Sequence, residues 1–435
     1  MKIPDNPFPL TDKGIRADLF VGRNDVLTDF ATFLNSPARL GANQCWIITG
    51  PRGQGKSTLR DELRRLASKD QSVACGDWDW MQKPDGIEFI AHGLYASIAH
   101  PAADSRRPIT EAAWKLFKSR KLERWLSVIN FNLLFTNFDL SKIPRYADRF
   151  RDPAMLVREL TTNLLPDIST VVFLIDEISD NADYVEPTRV FSKTISNLVT
   201  EGTARPLNLL TILFMQPHDE VRFSSGPGYP DGPRNPWPVQ LQDFSRDDLK
   251  AVLRAAVYYA NSIRYATEVL VECERDKVVE AVVQLAGGIP TLSLGLFHDA
   301  YNHMSSRVRE GDGDVAVLVA ADVLEGQGAR KGQAQSRLLQ FKDLQLPPKD
   351  FRRDKVVLLK HALSNGSLLK APCEIGDLKK QMQALIGAGV KEHEAIMPLL
   401  DALNAQGYTR FDKETGNVAF RGELLRKRLG AVKVA

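Results

Sequence analysis

Three short segments of the chain are made almost entirely of apolar residues. They lack the alternation of apolar and polar residues that is typical of a strand with one solvent-exposed face. They cover residues 45–50, 170–177 and 209–216, and the last two end in polar residues. Uninterrupted apolar runs of this length are typical of strands buried on both faces of a parallel sheet. A further strand is predicted over residues 239–244. The pattern therefore predicts an α/β fold, with a parallel sheet and helices on both of its faces.

Helical periodicity follows the first of these strands and then dominates residues 245–322. After the first strand, leucines recur at the spacing of one helix face, at Leu59, Leu63 and Leu66. Ser245 is a suitable N-cap for the later helical region, because two aspartates fall in the first turn that follows it. The chain is thus predicted to pass from an α/β region into a helical one.

The end of the chain, residues 351–435, has a pattern of its own. Helices are predicted near 354–363, 376–386 and 391–406, and Gly407 is placed to end the third as a C-cap. Two strand-like segments, 408–411 and 417–420, then flank a turn and predict a hairpin. Three helices followed by such a hairpin resemble a winged-helix domain.

Length and composition agree with a soluble globular protein of about three domains. The chain has 435 residues, and its 57 basic and 54 acidic residues leave a net charge of +3. A body coated in positive charge for nucleic acid is therefore excluded. No stretch approaches the roughly 18 apolar residues of a membrane span, no signal peptide is evident, and the four cysteines form no CxxC pair. We expect a cytoplasmic protein without a membrane partner, zinc site or disulfide framework.

A glycine-rich loop joins the first strand to the first helix. It is made of Gly50, Pro51, Arg52, Gly53, Gln54, Gly55, Lys56, Ser57 and Thr58. The pattern G-x-x-x-x-G-K-[ST] between a strand and a helix predicts a phosphate-binding loop. Its backbone N–H groups and the helix N-terminus can bind a phosphate chain, Lys56 the β- and γ-phosphates, and Ser57 a Mg²⁺ ion. The alternative is a tight turn without a ligand.

Polar residues end two of the apolar strands. Asp176 and Glu177 end the segment at 170–177, and Gln216 ends the segment at 209–216. An acidic residue after a buried strand can hold Mg²⁺, and a neighbouring glutamate can activate water. We therefore predict metal binding by Asp176 and Ser57, and catalysis by Glu177, Lys56 and Gln216. Taken alone, polar strand ends are ordinary, and Gln216 fits a solvated strand end equally well.

The order of these motifs resembles the AAA+ and signal-transduction (STAND) P-loop ATPases. Phe20-Val21-Gly22-Arg23 precedes the loop, and Gly287-Gly288-Ile289-Pro290 follows the strands. Within these groups the chain looks most like the origin-recognition initiator type and archaeal-type ATPases. The resemblance implies an adenine pocket lined by Val21, Gly22 and Arg23. It also implies a Walker B pair at Asp176 and Glu177, a first sensor at Gln216, and a lid helix over the nucleotide that begins at Gly287 to Pro290.

The resemblance also implies a division of the chain. It consists of an ATPase core over 1–244 with an insertion at about 81–169, a helical lid over 245–324, a linker over 325–350 and the winged helix over 351–435. Residues 291–296 lack the arginine expected in an AAA+ lid helix. Arg222 and Arg234 are weak candidates for an arginine finger, since both lie in a loop context that is not diagnostic. The insertion carries basic and aromatic residues that fit nucleic-acid contact or a solvated helix.

The predicted function is that of an ATP- and Mg²⁺-dependent ATPase that acts as a nucleotide-driven switch on double-stranded DNA or a DNA-associated complex. The alternative is a nucleotide-gated signalling or scaffold protein, whose winged helix docks a partner protein or another copy of the chain. The third helix of that domain opens with an acidic stretch, Lys391-Glu392-His393-Glu394. Basic candidates for DNA contact lie elsewhere, at Lys379, Lys380, Arg410, Lys413 and residues 426–428.

Overall fold

A computed structural model describes most of the sheet and of the helical C-terminal half of the chain. The described residues are 3–8, 20–35, 43–70, 72–79, 169–176, 208–217, 237–265, 268–309, 315–327, 332–339, 341, 353–366, 368–386, 399–404, 406–411 and 415–431. They form two compact units. The sheet unit comprises Arg23–Gly50 and Lys56–Leu241, and the helical unit comprises Met1–Gly22, Pro51–Gly55 and Gln242–Ala435.

The sheet unit is built on five parallel strands in the order β2-β3-β4-β1-β5. Two helices are described beside them. The elements are α1 (Asn24–Leu34), β1 (Asn43–Thr49), α2 (Lys56–Ala67), β2 (Val73–Asp79), β3 (Thr170–Asp176), β4 (Asn208–Met215) and β5 (Trp237–Gln240). Strands β1, β3 and β4 are the three apolar runs of the sequence, and the α/β prediction is confirmed.

Burial explains why these runs form the interior of the sheet. Ile48 in β1, Leu174 in β3 and Leu213 in β4 are fully buried. Helix α2 covers the sheet with the leucines predicted from its periodicity, since Leu59 and Leu63 are also buried. Strand β1 lies between β4 and β5, so the loop that follows it leaves from the inside of the sheet rather than from an edge.

The helical unit has a core of its own, formed mainly by long helices. Its elements before the C-terminal domain are α3 (Arg246–Ile263), β6 (Leu270–Cys273), α4 (Arg275–Ala286), α5 (Pro290–Arg309), β7 (Val315–Leu318), α6 (Ala320–Gly326) and α7 (Gln333–Leu338). Ser245 caps α3 as predicted: its side chain accepts a hydrogen bond from the backbone of Asp248, whose carboxylate accepts one from the backbone of Ser245. The N-terminal residues pack here too, and Tyr301 donates a hydrogen bond to the carbonyl of Pro4.

The C-terminal part of this unit is a winged helix, as the sequence pattern predicted. It contains α8 (Arg353–Ser364), β8 (Cys373–Glu374), α9 (Ile375–Ile386), helical residues 399–404, β9 (Thr409–Phe411), β10 (Asn417–Phe420) and α10 (Glu423–Ala431). The strands form an antiparallel sheet in the order β8-β10-β9.

Gly407 ends the third helix of this domain in the way its sequence predicted. The N–H of Gly407 donates to the carbonyl of Asn404, and that of Tyr408 donates to the carbonyl of Leu403. This pair of bonds, with a φ of 77° at Gly407, is a Schellman C-cap. The start of the predicted helix, residues 391–398, lies outside the described residues, as does Lys413.

Candidate functional site

Several predicted site residues of the sheet unit lie where its parallel strands end. Strand β1 pairs with β4 up to Thr49 and Met215, and β3 pairs with β4 on its other side. Gly50, Asp176 and Gln216 stand at or just after the ends of these three strands. Because parallel strands present their carboxyl ends along one edge of the sheet, the fold places these residues at a common edge.

Lys56 and Ser57 face this edge from the first turn of α2. The Lys56 ammonium donates a hydrogen bond to the carbonyl of Gly50 at 2.6 Å. The Ser57 hydroxyl donates to Oδ2 of Asp176 at 2.7 Å, across 119 positions of sequence. Asp176 is only 3% exposed. The structure therefore joins the two predicted metal-binding residues and sets the lysine at the base of the loop.

Arg60 adds a charge that sequence reasoning missed. Its guanidinium Nη1 lies 3.6 Å from Oδ2 of Asp176, and its side chain is largely buried. Helical spacing could have indicated this residue, because residues three or four positions apart lie on the same helix face. Arg60 comes three positions after Ser57 and four after Lys56. The motif pattern ends before this position, so a search by pattern alone passes over it.

The middle of the loop, residues 51–55, belongs to the helical unit and is held there by hydrogen bonds. The carbonyl of Gly53 accepts two of them from Thr291, one from its backbone N–H at 3.1 Å and one from its hydroxyl at 2.9 Å. Thr291 directly follows Pro290, which is the first residue of α5. The segment predicted to begin the lid thus starts a long helix and contacts the phosphate-binding loop.

A second set of contacts reaches the loop from the winged helix. Gln54 donates to Oδ1 of Asp243 at 2.7 Å. Arg421, whose side chain is 1% exposed, donates to both oxygens of the same carboxylate, at 2.5 and 3.3 Å, and to the carbonyl of Gly407 at 3.1 Å. Sequence reasoning assigned no role to Asp243 or Arg421, because they are 178 positions apart and follow no local pattern.

The winged helix approaches helix α4 closely at the glycine pair that precedes the lid helix. Gly287 has a φ of 61°, and a Cβ built there would overlap the carbonyl oxygen of Arg421. Only a residue without a side chain fits this position. Gly287 is therefore required by packing against the winged helix, whereas a Cβ on Gly288 would overlap the carbonyl oxygen of Phe244.

The Val21-Gly22-Arg23 box is divided between the two units. Val21 packs against the core of the helical unit, and Gly22 lies beside Asp248 and Phe244 of the same unit. Arg23, in the sheet unit, is the N-cap residue of α1 and has a left-handed backbone with a φ of 59°, which is uncommon for a residue other than glycine. Adenine binding by this box stays a prediction.

Several predicted site residues lie outside the described residues. They are Glu177, Arg222, Arg234 and the insertion up to residue 168. Their predicted roles are untested, and so are the roles assigned to Gln216 and Thr58, which are described and half-buried.

The residues present fit a nucleotide and a magnesium ion. A Cβ built on Gly55 meets no atom of the described residues within 4 Å, so these residues leave open space at the position before Lys56. Ser57 and Asp176 offer hard oxygen donors, and Mg²⁺ is usually held by one or two carboxylates together with phosphates of the substrate. Among the described residues there is no cluster of three or more His, Cys, Asp or Glu side chains suited to a metal.

The basic residues predicted for DNA contact do not all reach the surface. Lys380, Arg410 and Lys427 are exposed. Arg426 is instead buried, and its guanidinium donates to the carbonyls of Leu363, Ser364 and Gly366 at the end of α8. The prediction that Arg426 contacts DNA is therefore wrong: this side chain supplies the donors that the last carbonyls of a helix lack.

Comparison with known proteins places the fold. No protein-family model and no curated protein matches the chain. The ADPNP–ADP complex of the Aeropyrum pernix ORC2 protein is similar in structure, with a TM-score of 0.54 and 11% identity over 98% of this chain and 96% of that one. The Walker-type ATPase PABY2304 of Pyrococcus abyssi aligns with a TM-score of 0.47 and 16% identity over 97% and 99% of the two chains.

The first of these similarities shows that the chain has the α/β P-loop ATPase fold with a C-terminal winged helix, as in origin-recognition proteins. None of the helices in the part of the chain that the structure describes is long and apolar enough to cross a bilayer.

Proposed function

We propose that the chain is an ATP-binding, Mg²⁺-dependent ATPase of the AAA+/STAND type that acts as a nucleotide-driven switch. The observation that carries this proposal is the 2.7 Å hydrogen bond between Ser57 and Asp176, which joins the end of the glycine loop to the end of strand β3. Together with Lys56 at the start of α2, it supports a phosphate site with a metal site beside it.

Each residue of the site has a defined part in this proposal. The loop N–H groups and Lys56 hold the phosphates, and the Lys56 ammonium exchanges the Gly50 carbonyl for phosphate oxygens. Ser57 and Asp176 hold Mg²⁺, which neutralises charge on the phosphates when bound. Glu177 orients water and accepts its proton, and Gln216 senses the γ-phosphate. The box at 21–23 binds adenine, and Pro290 begins the lid.

The target that we propose is DNA or a DNA-associated complex. A winged helix is a common DNA-binding module, and exposed Lys380, Arg410 and Lys427 offer positive charge on this one. The second candidate is a nucleotide-gated scaffold whose winged helix docks a protein. It is favoured by the burial of Arg421 and Arg426, which removes two positive charges from the surface available to DNA.

Nucleotide binding by matched variants tests the ATPase proposal. Lys56→Ala removes the phosphate-binding charge and should abolish binding of a fluorescent ATP analogue, whereas Glu177→Gln should bind it and release no phosphate. Lys69→Ala is the control, since this exposed lysine lies on the turn after α2. Equal ATP affinity in Lys56→Ala and the parent would refute the assignment.

The two targets differ in their response to salt. DNA binding requires an affinity for duplex that depends on ATP and falls steeply as salt rises. The scaffold function requires no duplex affinity and an ATP-dependent change of oligomer mass, measured by light scattering. Duplex titration of the Glu177→Gln variant with ATP at two salt concentrations therefore separates them.

A further inference from the structure

Asp176, the proposed metal-binding carboxylate, already lies beside a positively charged side chain of the same unit. Oδ2 of Asp176 accepts the hydrogen bond of Ser57 and lies 3.6 Å from Nη1 of Arg60. The two side chains are only 4% and 14% exposed, so solvent screens this pair weakly. A buried carboxylate is costly without such compensation, and Arg60 supplies part of it.

The same guanidinium also reaches a second carboxylate. Nη2 of Arg60 lies 3.5 Å from Oδ1 of Asp61, whose side chain is 38% exposed. Arg60 thus spans an inner carboxylate at the proposed metal site and an outer one near solvent. Buried Leu59 and Leu63 hold helix α2 against the sheet, so any rearrangement of Arg60 is confined to its side chain.

We propose that Arg60 competes with Mg²⁺ for Asp176 and thereby sets the metal affinity of the nucleotide site. This inference rests on the proposed function, because it assumes that Asp176 and Ser57 hold the metal. Bringing a divalent cation to Oδ2 places it close to the guanidinium, and two like charges at this separation in a partly buried site repel. Metal binding therefore requires Arg60 to turn toward Asp61, where a carboxylate is available to it.

Arg60 is a positioning residue in this proposal, and the expected effect of removing it is tighter metal binding. In Arg60→Gln the competing charge is gone, so the affinity for the metal should rise by about tenfold, equivalent to about 1.4 kcal/mol. Arg60→Lys keeps the charge and should stay close to the parent. Arg64→Gln makes the same change of charge on an exposed residue of the same helix and should also stay close to the parent.

The experiment is a titration of the full chain with Mn²⁺ in the presence of ADP, followed by the electron paramagnetic resonance of free Mn²⁺. ADP binding without metal is measured by calorimetry in EDTA. The proposal is supported when Arg60→Gln tightens Mn²⁺ binding and neither Arg60→Lys nor Arg64→Gln does. It is overturned when Arg60→Gln binds Mn²⁺ as the parent does or more weakly.

The measurement of ADP binding in EDTA identifies the alternative role of Arg60 if the proposal fails. A loss of ADP affinity in EDTA together with unchanged or weaker Mn²⁺ binding would make Arg60 a phosphate contact and overturn metal competition. A parent chain that binds ADP and Mn²⁺ while Arg60→Gln shows no tightening refutes the inference alone. A parent that binds neither refutes the proposed function and this inference together.

Discussion

Replacing Arg421 with methionine should destabilise the helical unit more than any change of an exposed arginine. The substitution keeps much of the side-chain volume but removes the donors to Asp243 and to the Gly407 carbonyl. Asp243 is then left as a mostly buried carboxylate, with Gln54 as a remaining donor. Breaking a buried ion pair from one side costs about 3–5 kcal/mol, because the charge left behind loses its partner.

We take the lower value, about 3 kcal/mol, because Gln54 still bonds the carboxylate. A unit of this size loses roughly 2–4 °C in Tm for each kcal/mol, so the melting temperature of the helical unit should fall by about 6–12 °C. Differential scanning calorimetry of the full chain measures this. Arg410→Met is the matched control, since Arg410 is exposed on β9, and should shift Tm by less than about 2 °C.

A double variant isolates the pair itself. Asp243→Asn removes the charge that Arg421→Met leaves unpaired, so the two changes together should cost less than the sum of the single changes. The view that these residues form a buried, coupled network would be refuted if the destabilisation of the double variant equalled the sum of the two single ones. It would also be refuted if Arg421→Met had the same Tm as Arg410→Met.

Two further predictions concern stability. Burial alone would raise the pKa of Asp322, but hydrogen bonds from Arg307, from the backbone of Val319 and from His303 lower the pKa below its ordinary value. Ionised Asp322 therefore stabilises the fold fully above the unfolded pKa of about 3.9. This stabilisation is lost as the pH falls through the lower folded pKa. As the pH is lowered below about 4, Tm should fall in the parent and fall much less in Asp322→Asn. Parallel curves of Tm against pH for the two chains would contradict this. Gly287→Ala should destabilise the chain by more than about 1–2 kcal/mol in urea unfolding, because it adds an overlap with Arg421 to a left-handed backbone. Gly376→Ala, at a helix position where no atom in the described part of the chain lies within 4 Å of a Cβ, should be neutral or stabilising by up to about 1 kcal/mol. Equal effects at the two glycines would refute the packing argument.

Local patterns were sufficient for the three apolar strands, for helix α2 and for the residues that the loop motif contains. The strands followed from continuous apolar runs, the caps at Ser245 and Gly407 from single residues, and the Ser57–Asp176 pairing from two motifs whose chemistry requires them to meet. Each of these signals lies within one turn or one strand, where sequence and conformation are directly linked.

Long-range polar contacts could not be predicted from the same sequence. Arg426 and Lys427 are neighbours in one basic stretch, yet Lys427 is exposed and Arg426 is buried against the end of α8. Charge alone indicates an exposed side chain, and nothing local to Arg426 shows that carbonyls some 60 positions earlier need donors. Arg421 is a similar case, since Asp243 alone gives no sign of its partner.

The phosphate-binding loop is one motif in sequence, but its residues are held by hydrogen bonds to different parts of the fold. Lys56 and Ser57 are fixed by the end of the sheet, through Gly50 and Asp176. Gly53 and Gln54 are fixed by the start of the lid helix and by the Asp243–Arg421 pair. If a nucleotide binds as proposed and displaces Gly53 or Gln54, it must break the hydrogen bonds that these residues make with Thr291 and Asp243. Linkage in binding is reciprocal, so any change that such a nucleotide imposed on the winged helix through Asp243 and Arg421 would be matched by an equal effect of the winged helix on nucleotide affinity.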